Sequence, residues 1–508
     1  MNALASPTVA ALALAYLVLT LAIGTWAAKR TRNAKDFFIA GQGIGVVVMG
    51  VATMSASFSG FIFLGGPGLM YRMGIASLFI SMSLSFTAAL LCWAVGRRLR
   101  LLAEVREIYT VPDAVYHRYR SRRVQGLAAV AVVVGTVGYL GAQLLALGRL
   151  VEAVFGTREM LGEWSLPIAM AVGSVVLLAY AVAGGMVAGV YTDFVQGVLM
   201  LGAAVAVFGY ALRSGGGFSA MTESITGSDL FGPDFLNPLA SAPVLTALGF
   251  FFVFGIGTLG QPHMLHKFYM LKDPRQLRWL PLILGGSQSV CVLLWLGVGL
   301  AVPALVARGE LAPLATPDDA APLFLLDYTP EILAGVVVAG ILAAVMSTAD
   351  SFVNIASAAL VRDLPRAFGR PLKRELFWGR WATGIVALAA GVLAYAYDDL
   401  IALLGTFAFG TFAAALAPAL GLGLLWRRVT ARAAGVSIAV GTILNLTLEL
   451  LARQSFFPSW PKLPLAAGVP PTAVSLAASL AILCLMTWWG RDGAEEELDP
   501  AVERVLES

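Results

Sequence analysis

Apolar stretches of 18 or more residues recur along this chain almost from end to end. No other feature limits the fold as much. About 20 apolar residues suffice for a helix to span the hydrocarbon core of a bilayer. Inside that core every backbone polar group must be satisfied internally. The composition agrees: 59% of the 508 residues are hydrophobic and 13% charged, against about 25% charge in a soluble globular chain. The mean hydropathy is +0.82. The pattern predicts an all-α polytopic membrane protein with most of its mass in the bilayer.

Thirteen runs have the length of a transmembrane helix: residues 7–28, 43–71, 74–96, 124–150, 165–184, 192–212, 242–266, 280–307, 331–361, 379–397, 400–426, 432–452 and 470–490. The first lacks a basic segment before it, and Lys29 and Arg30 follow it. It reads as an outside-to-inside helix rather than a cleaved signal peptide. With the N-terminus outside, 27 of the 34 Lys and Arg residues fall at inner connections, Lys267 and the arginines from Arg97 to Arg123 among them. The positive-inside rule therefore places the N-terminus outside and the C-terminus in the cytoplasm, in a plasma (inner) membrane. The net charge of +4 follows this distribution and is no sign of nucleic-acid binding. Cys92, Cys291 and Cys484 lie in separate apolar runs and form neither a disulfide framework nor a metal spacing. The outer connections are rich in Gly, Pro and Asp, as lid loops or short amphipathic pieces are. The acidic tail "GRDGAEEELDPAVERVLES" is too short for a catalytic domain.

Two runs are interrupted. The second reads "MGVATMSASFSGFIFLGGPGLMYRMG", with Ser55, Ser57, Ser59 and Gly60 near its middle. The seventh reads "LGFFFVFGIGTLGQPHMLHKFY", with Gly255, Gly257, Gly260 and Pro262 at a similar depth. Gly and Pro weaken the helical ladder, and open backbone at that depth is tolerated only inside protein or around a cavity. Each run alone reads equally well as a kinked, closely packed helix. Together they are five spans apart and run in opposite directions. Interrupted helices at matching places in two inverted halves point to the binding site of a secondary transporter.

The ninth run contains "MSTADSFVNIAS". Ser347, Thr348 and Ser351 share roughly one helical face. Their hydroxyls, with carbonyls freed by the broken second run, make a hard, neutral oxygen cage suited to an alkali cation. Serine and threonine also back-bond to their own helix, so helix packing remains a competing account. Asp350 favours the ion site, because a buried carboxylate wants a cation or partner.

At this point the chain resembles the sodium:solute symporter family over about residues 35 to 430. The resemblance rests on "KDFFIAGQGIG", "GGMVAGVYTDFVQGVLM", "GQPH" and "GILAAVMSTADSFVNIASAALVRD" in that order. It implies a LeuT-like core of five plus five helices in inverted repeat, with the second and seventh helices broken. The implied division is an extra helix in 1–34, repeats in 35–212 and 213–430, two further helices in 431–490 and a tail in 491–508. It implies a main sodium (Na+) site from the carbonyls of Ser55 and Phe58 with Ala344, Ser347 and Thr348. In some members a second sodium lies further inward, at positions matching Asp193, Thr348, Asp350 and Ser351. Asp193 has an alternative role as an acid capping a helix N-terminus.

The chain also departs from particular members. Ser57 stands where proline carriers have an acid. Of two aromatic positions there, Phe254 is kept and Thr258 is not. Phe61 and Ile62 replace the amides and acids of sugar carriers. The lining therefore favours a small carboxylate or amino acid over a sugar. A carboxylate can be held by exposed N–H groups and half-helix dipoles. Tyr139, Gln143 and Gln288 are pocket candidates, and each also reads as an interhelical polar residue.

The sequence thus reads as a sodium-coupled symporter of a small solute, working by alternating access in the lipid bilayer without an obligate protein partner. Proton coupling through Asp193 or Asp350, or a transporter-like sensor, are the alternatives. An intramembrane metalloenzyme is disfavoured: His263 and His266 lack the Glu and third ligand of a zinc hydrolase motif and read as interfacial histidines. If the topology is right, a label at Ala3 reacts from outside and one at Ser508 only from inside. Labelling of both termini from one side would exclude thirteen spans.

Overall fold

The hydrocarbon constraint produces a helical bundle. A computed structural model describes residues 7–28, 42–397, 400–452, 468–489 and 499–507, with the side chains of 17, 20, 21, 23–28, 176–188 and 376 outside that description. The basic residues at 29–35, most of "KDFFIAGQGIG", and both labelling positions lie outside the described residues. Among the described residues there is no β-strand, only an isolated bridge between Ile44 and Leu271. The main helices are α1 (Pro7–Ala28), α2 (Val46–Ser57), α3 (Gly66–Met73), α4 (Leu78–Leu91), α5 (Arg122–Phe155), α6 (Ser165–Gly215), α7 (Val244–Gly257), α8 (Pro262–Phe268), α9 (Leu280–Ala307), α10 (Glu331–Ala358), α11 (Glu375–Tyr397), α12 (Ile401–Ala417), α13 (Ala431–Ala452), α14 (Pro471–Trp489) and α15 (Pro500–Glu507). Among the described residues, nine helices are long and apolar enough to cross a membrane, or ten if the bent pair α7 and α8 is one span.

Both interruptions are present. Between α2 and α3 the chain leaves the helix at Phe58 (φ −101°, ψ 86°) and re-enters through a π-helical turn at Phe61–Gly65. Between α7 and α8 a 3₁₀ turn at Thr258–Gly260 leads to an extended Gln261, and the axes bend by 43°. Proline at the start of α8 supplies no N–H and tolerates this break. The fifth and sixth runs differ from expectation. They form one helix of 51 residues, α6, where a turn is expected after residue 184. No proline falls between Pro167 and Pro233, and Gly184 and Gly185 alone weaken a helix without ending it.

The broken α2–α3 segment lies at the centre, against α5, α9, α10 and α12. Several cations counted above as loop charges are buried. Arg98, Arg100, Arg118 and Arg362 belong to the packed end of the bundle. Arg100 donates to Leu271 O (2.7 Å) and Arg118 to Gly423 O (2.6 Å), satisfying carbonyls where helices end. Arg362 pairs with Asp113 at 3.4 Å. The short α15 is held through Asp499 to Arg106 and through Glu503 and Glu507 to Arg427. The hydrogen bond from Arg106 holds the Asp499 carboxyl below the usual carboxylate range.

Close approach at the second break depends on Gly260. A Cβ there would lie 2.5 Å from Phe412 O and 2.6 Å from Ala417 N, both backbone atoms of the α12 region. Gly286 on α9 has nothing within 4 Å of the same position. Gly260→Ala is therefore expected to destabilise by about 1–3 kcal/mol through overpacking. Gly286→Ala should be neutral or stabilising by up to about 1 kcal/mol. Thermal unfolding in detergent checks this, and equal shifts for the two variants would show that α12 yields without cost.

Candidate ion and solute site

The serines of α2 start the break. Ser57 Oγ donates to Thr53 O (2.6 Å) and approaches Met54 O at 3.0 Å, a local competitor to the helical ladder. The Phe58 N–H still reaches Met54 O at 2.8 Å, but the helix then stops. The carbonyls of Ser55, Ala56 and Ser57 are left beyond the last helical N–H. Gly60 permits the approach of α5 and α10, since a Cβ there would lie 2.7 Å from both Ala146 and Val345 side chains.

On the donor side, Gly60 N–H donates to Gln143 Oε1 (3.2 Å) and Phe61 N–H to Ser59 Oγ (3.3 Å). Gln143 Nε2 donates to the same Ser59 Oγ at 3.1 Å. Tyr139, one turn before Gln143 on α5, stands beside Ser59 as well. Of these two expected pocket residues, Gln143 meets the open backbone directly.

Helix α10 supplies the oxygen face. Thr348 Oγ1 lies 3.3 Å from Ala56 O and 2.9 Å from Ala344 O. Ser347 Oγ donates to Ala344 O at 3.2 Å. Ala344, Ser347 and Thr348 are thus gathered against the end of α2. The carbonyl that Thr348 meets is that of Ala56, one residue along from the expected Ser55. The Ser55 hydroxyl faces Met200 Sδ at 3.5 Å. Phe58 is buried in the break itself.

Beside this face lies a second polar cluster. Asp193 of α6 accepts a hydrogen bond from Lys267 Nζ of α8 at 2.5 Å, and their side chains are 2% and 3% exposed. Ser347 stands beside Asp193. Asp350 accepts from Asn354 Nδ2 at 3.1 Å and faces α6 near Gly189. Ser351 is buried one turn along from Ser347. Lys267 is therefore no loop charge but an internal partner of an expected site acid.

The other wall is aromatic. Phe61 stacks on Phe254 (5.6 Å, 4°), Phe254 on Phe409 (4.3 Å), and Trp295 meets the edge of Phe61 at 6.4 Å. Ile62 is buried alongside. Thr258 turns its hydroxyl onto Gly255 O (2.7 Å), and Gln261 Nε2 ties Gly257 O and Phe409 O at 3.1 Å each. Gln288 Nε2 reaches Ser57 Oγ at 3.5 Å. Among the described residues, Gln288 Oε1, Trp295 Nε1 and both ring nitrogens of His263 are buried without a hydrogen-bond partner. Such atoms are what a polar ligand would satisfy.

The expectation of interfacial histidines fails. His263 is 2% and His266 6% exposed. His263 packs against Phe352 (4.6 Å) and Tyr139 (5.8 Å), because the break tucks the start of α8 into the bundle. Among the described residues no group of three or more His, Cys, Asp or Glu could hold a metal ion. The oxygens gathered by α2 and α10 instead offer the hard ligands that suit an alkali cation.

Lys267, Trp295, Ser59 and Gln261 were not among the expected site residues. Lys267 lies in the last turn of a half-helix that ends an apolar run, which is also how a loop lysine looks. Trp295 carries no polar neighbour in sequence to mark it. Ser59 and Gln261 each border a break, and that position was the available signal.

Known proteins match this architecture. The model of the sodium:solute symporter family matches residues 37–441. The osmoregulated proline transporter OpuE of Bacillus subtilis is 28% identical over 448 residues, covering 87% of this chain and 89% of that protein. The sodium/pantothenate symporter of Escherichia coli is 26% identical, covering 88% and 92% respectively. Among solved structures, a Na+-coupled sialic acid symporter in a substrate-bound outward-open state superposes with TM-score 0.72 at 18% identity, over 94% of this chain and 97% of that one. MhsT, solved with L-phenylalanine, gives TM-score 0.53 at 13% identity, over 85% and 98%. These likenesses agree with a LeuT-type bundle. With the match running through both breaks and the hydroxyl face of α10, the chain belongs to the sodium:solute symporter family.

Proposed function

We propose that this membrane protein is a sodium-coupled symporter that imports a small organic carboxylate or amino acid by alternating access. The observation that carries the reading is the meeting of Thr348 with Ala56 O across the α2 break. Sodium would sit between the end of α2, where Ala56 O meets Thr348, and Ala344, Ser347 and Thr348 of α10, with the carbonyls of Ser55 and Phe58 as further ligands. Membership of a family of sodium symporters supports sodium as the coupling ion. A cation there ties α2 to α10, so its arrival and loss bias the two access states.

The solute class follows from the two walls. Gln143, Ser59, Tyr139 and Gln288 are polar, and Phe61, Phe254, Phe409 and Trp295 are aromatic. A carboxylate can replace Gln143 Oε1 on the Gly60 N–H, with the apolar part of the solute parting the Phe61–Phe254 stack. Proline and pantothenate, the solutes named for two of the relatives, both carry a carboxylate.

Two measurements test this. In a thermal-shift screen with sodium, proline or pantothenate should raise the unfolding temperature by mass action, and a hexose should not. Stabilisation by a hexose alone would overturn the solute class. Ser347→Ala and Thr348→Ala should each raise the sodium concentration for half-maximal uptake roughly 5- to 150-fold, the equivalent of about 1–3 kcal/mol for one lost oxygen. Unchanged sodium dependence in both would remove the hydroxyl face from the site.

A further inference from the structure

We propose that Lys267 is a resident counter-cation, its ammonium taking the place beside Asp193 that a second sodium ion would need, so that the carrier couples one sodium to each solute. This rests on the sodium-symport reading above and concerns its stoichiometry. Asp193, Asp350 and Ser351 are the residues that would complete a second sodium site. Asp193 is already engaged: Lys267 Nζ lies 2.5 Å from its carboxylate, in a pair almost wholly out of solvent.

Charge decides how many further cations the cluster accepts. Asp193 and Asp350 can bring at most two negative charges against the one positive charge of Lys267, with Asn354 as the neutral partner of Asp350. The cluster is left with at most one negative charge in excess. One sodium held by the neutral oxygens of Ala56, Ser347 and Thr348 balances it. A second would leave an unpaired positive charge in a low-dielectric interior, which is strongly unfavourable. Ser347 stands between the two halves, beside Asp193 and on the sodium face. Lys267 is borne by α8, the half-helix that follows the break, so its ammonium is attached to the element that shapes the solute pocket.

The test is equilibrium binding of radioactive sodium to the purified full-length protein in nanodiscs. Wild type should bind one sodium per chain. Lys267→Gln should bind two, and its charge moved per solute in proteoliposomes should rise by one. Asp193→Asn leaves Lys267 facing Asp350 and the sodium site, and should weaken sodium binding roughly tenfold or more. The double variant Asp193→Asn with Lys267→Gln should restore the affinity. That comparison decides the matter even if Lys267→Gln does not fold. Two sodium ions on wild type, one on a folded Lys267→Gln, or an unchanged affinity in Asp193→Asn would each overturn the proposal. A wild type that binds no sodium would instead defeat the symport reading on which it rests.

Discussion

Everything in this fold depends on one demand of hydrocarbon: a backbone N–H or C=O placed in it must find a partner within the protein. Continuous helices meet the demand by themselves. The chain withholds that solution at two places, Phe58–Gly60 and Thr258–Gln261, and the surrounding side chains answer for it. Gln143 and Ser59 take the freed N–H groups of Gly60 and Phe61. Thr348 takes the Ala56 carbonyl, and Gln261 takes those of Gly257 and Phe409. Each of these partners is a side chain that a ligand can replace, which ordinary helical bonding would not allow.

In the proposed cycle the same groups would couple ion to solute. The carbonyls at the end of α2 face α10, while the N–H groups just beyond face α5. A cation at the first position and a carboxylate at the second would therefore lie on either side of three residues, Phe58 to Gly60. Each would order the backbone that the other needs. Reciprocal coupling of binding follows from thermodynamic linkage without any longer pathway.

The breaks were legible because glycine, proline and clustered serine act through the backbone, and backbone effects are local in sequence. The oxygen face of α10 was legible for the same reason, as Ser347, Thr348 and Ser351 repeat at helical spacing. The exact carbonyl was not. Whether Ser55 or Ala56 meets Thr348 depends on the rotation of α2 about its axis, which packing sets. Lys267 was hidden more deeply. A lysine ending an apolar half-helix counts as a loop charge until the tertiary fold carries it inward to Asp193. The burial of Arg100 and Arg118 was concealed in the same way, since their partners are carbonyls far along the chain. For α6, the pattern marked two apolar stretches correctly, but with no proline between them it held no signal for how the connection is made.

A lysine and a sodium ion differ in one respect that matters outside the protein. The lysine goes back with the carrier, and the ion stays on the far side. One sodium falling through about 100 mV releases about 2.3 kcal/mol, and a tenfold concentration gradient adds about 1.4 kcal/mol. A neutral or zwitterionic solute paired with that ion can be concentrated roughly 500-fold. An anionic solute carries its own charge inward and returns the electrical share, leaving roughly tenfold accumulation that no longer responds to voltage. With Lys267 fixed on Asp193, the charge of the solute alone would decide whether the membrane potential powers this carrier at all.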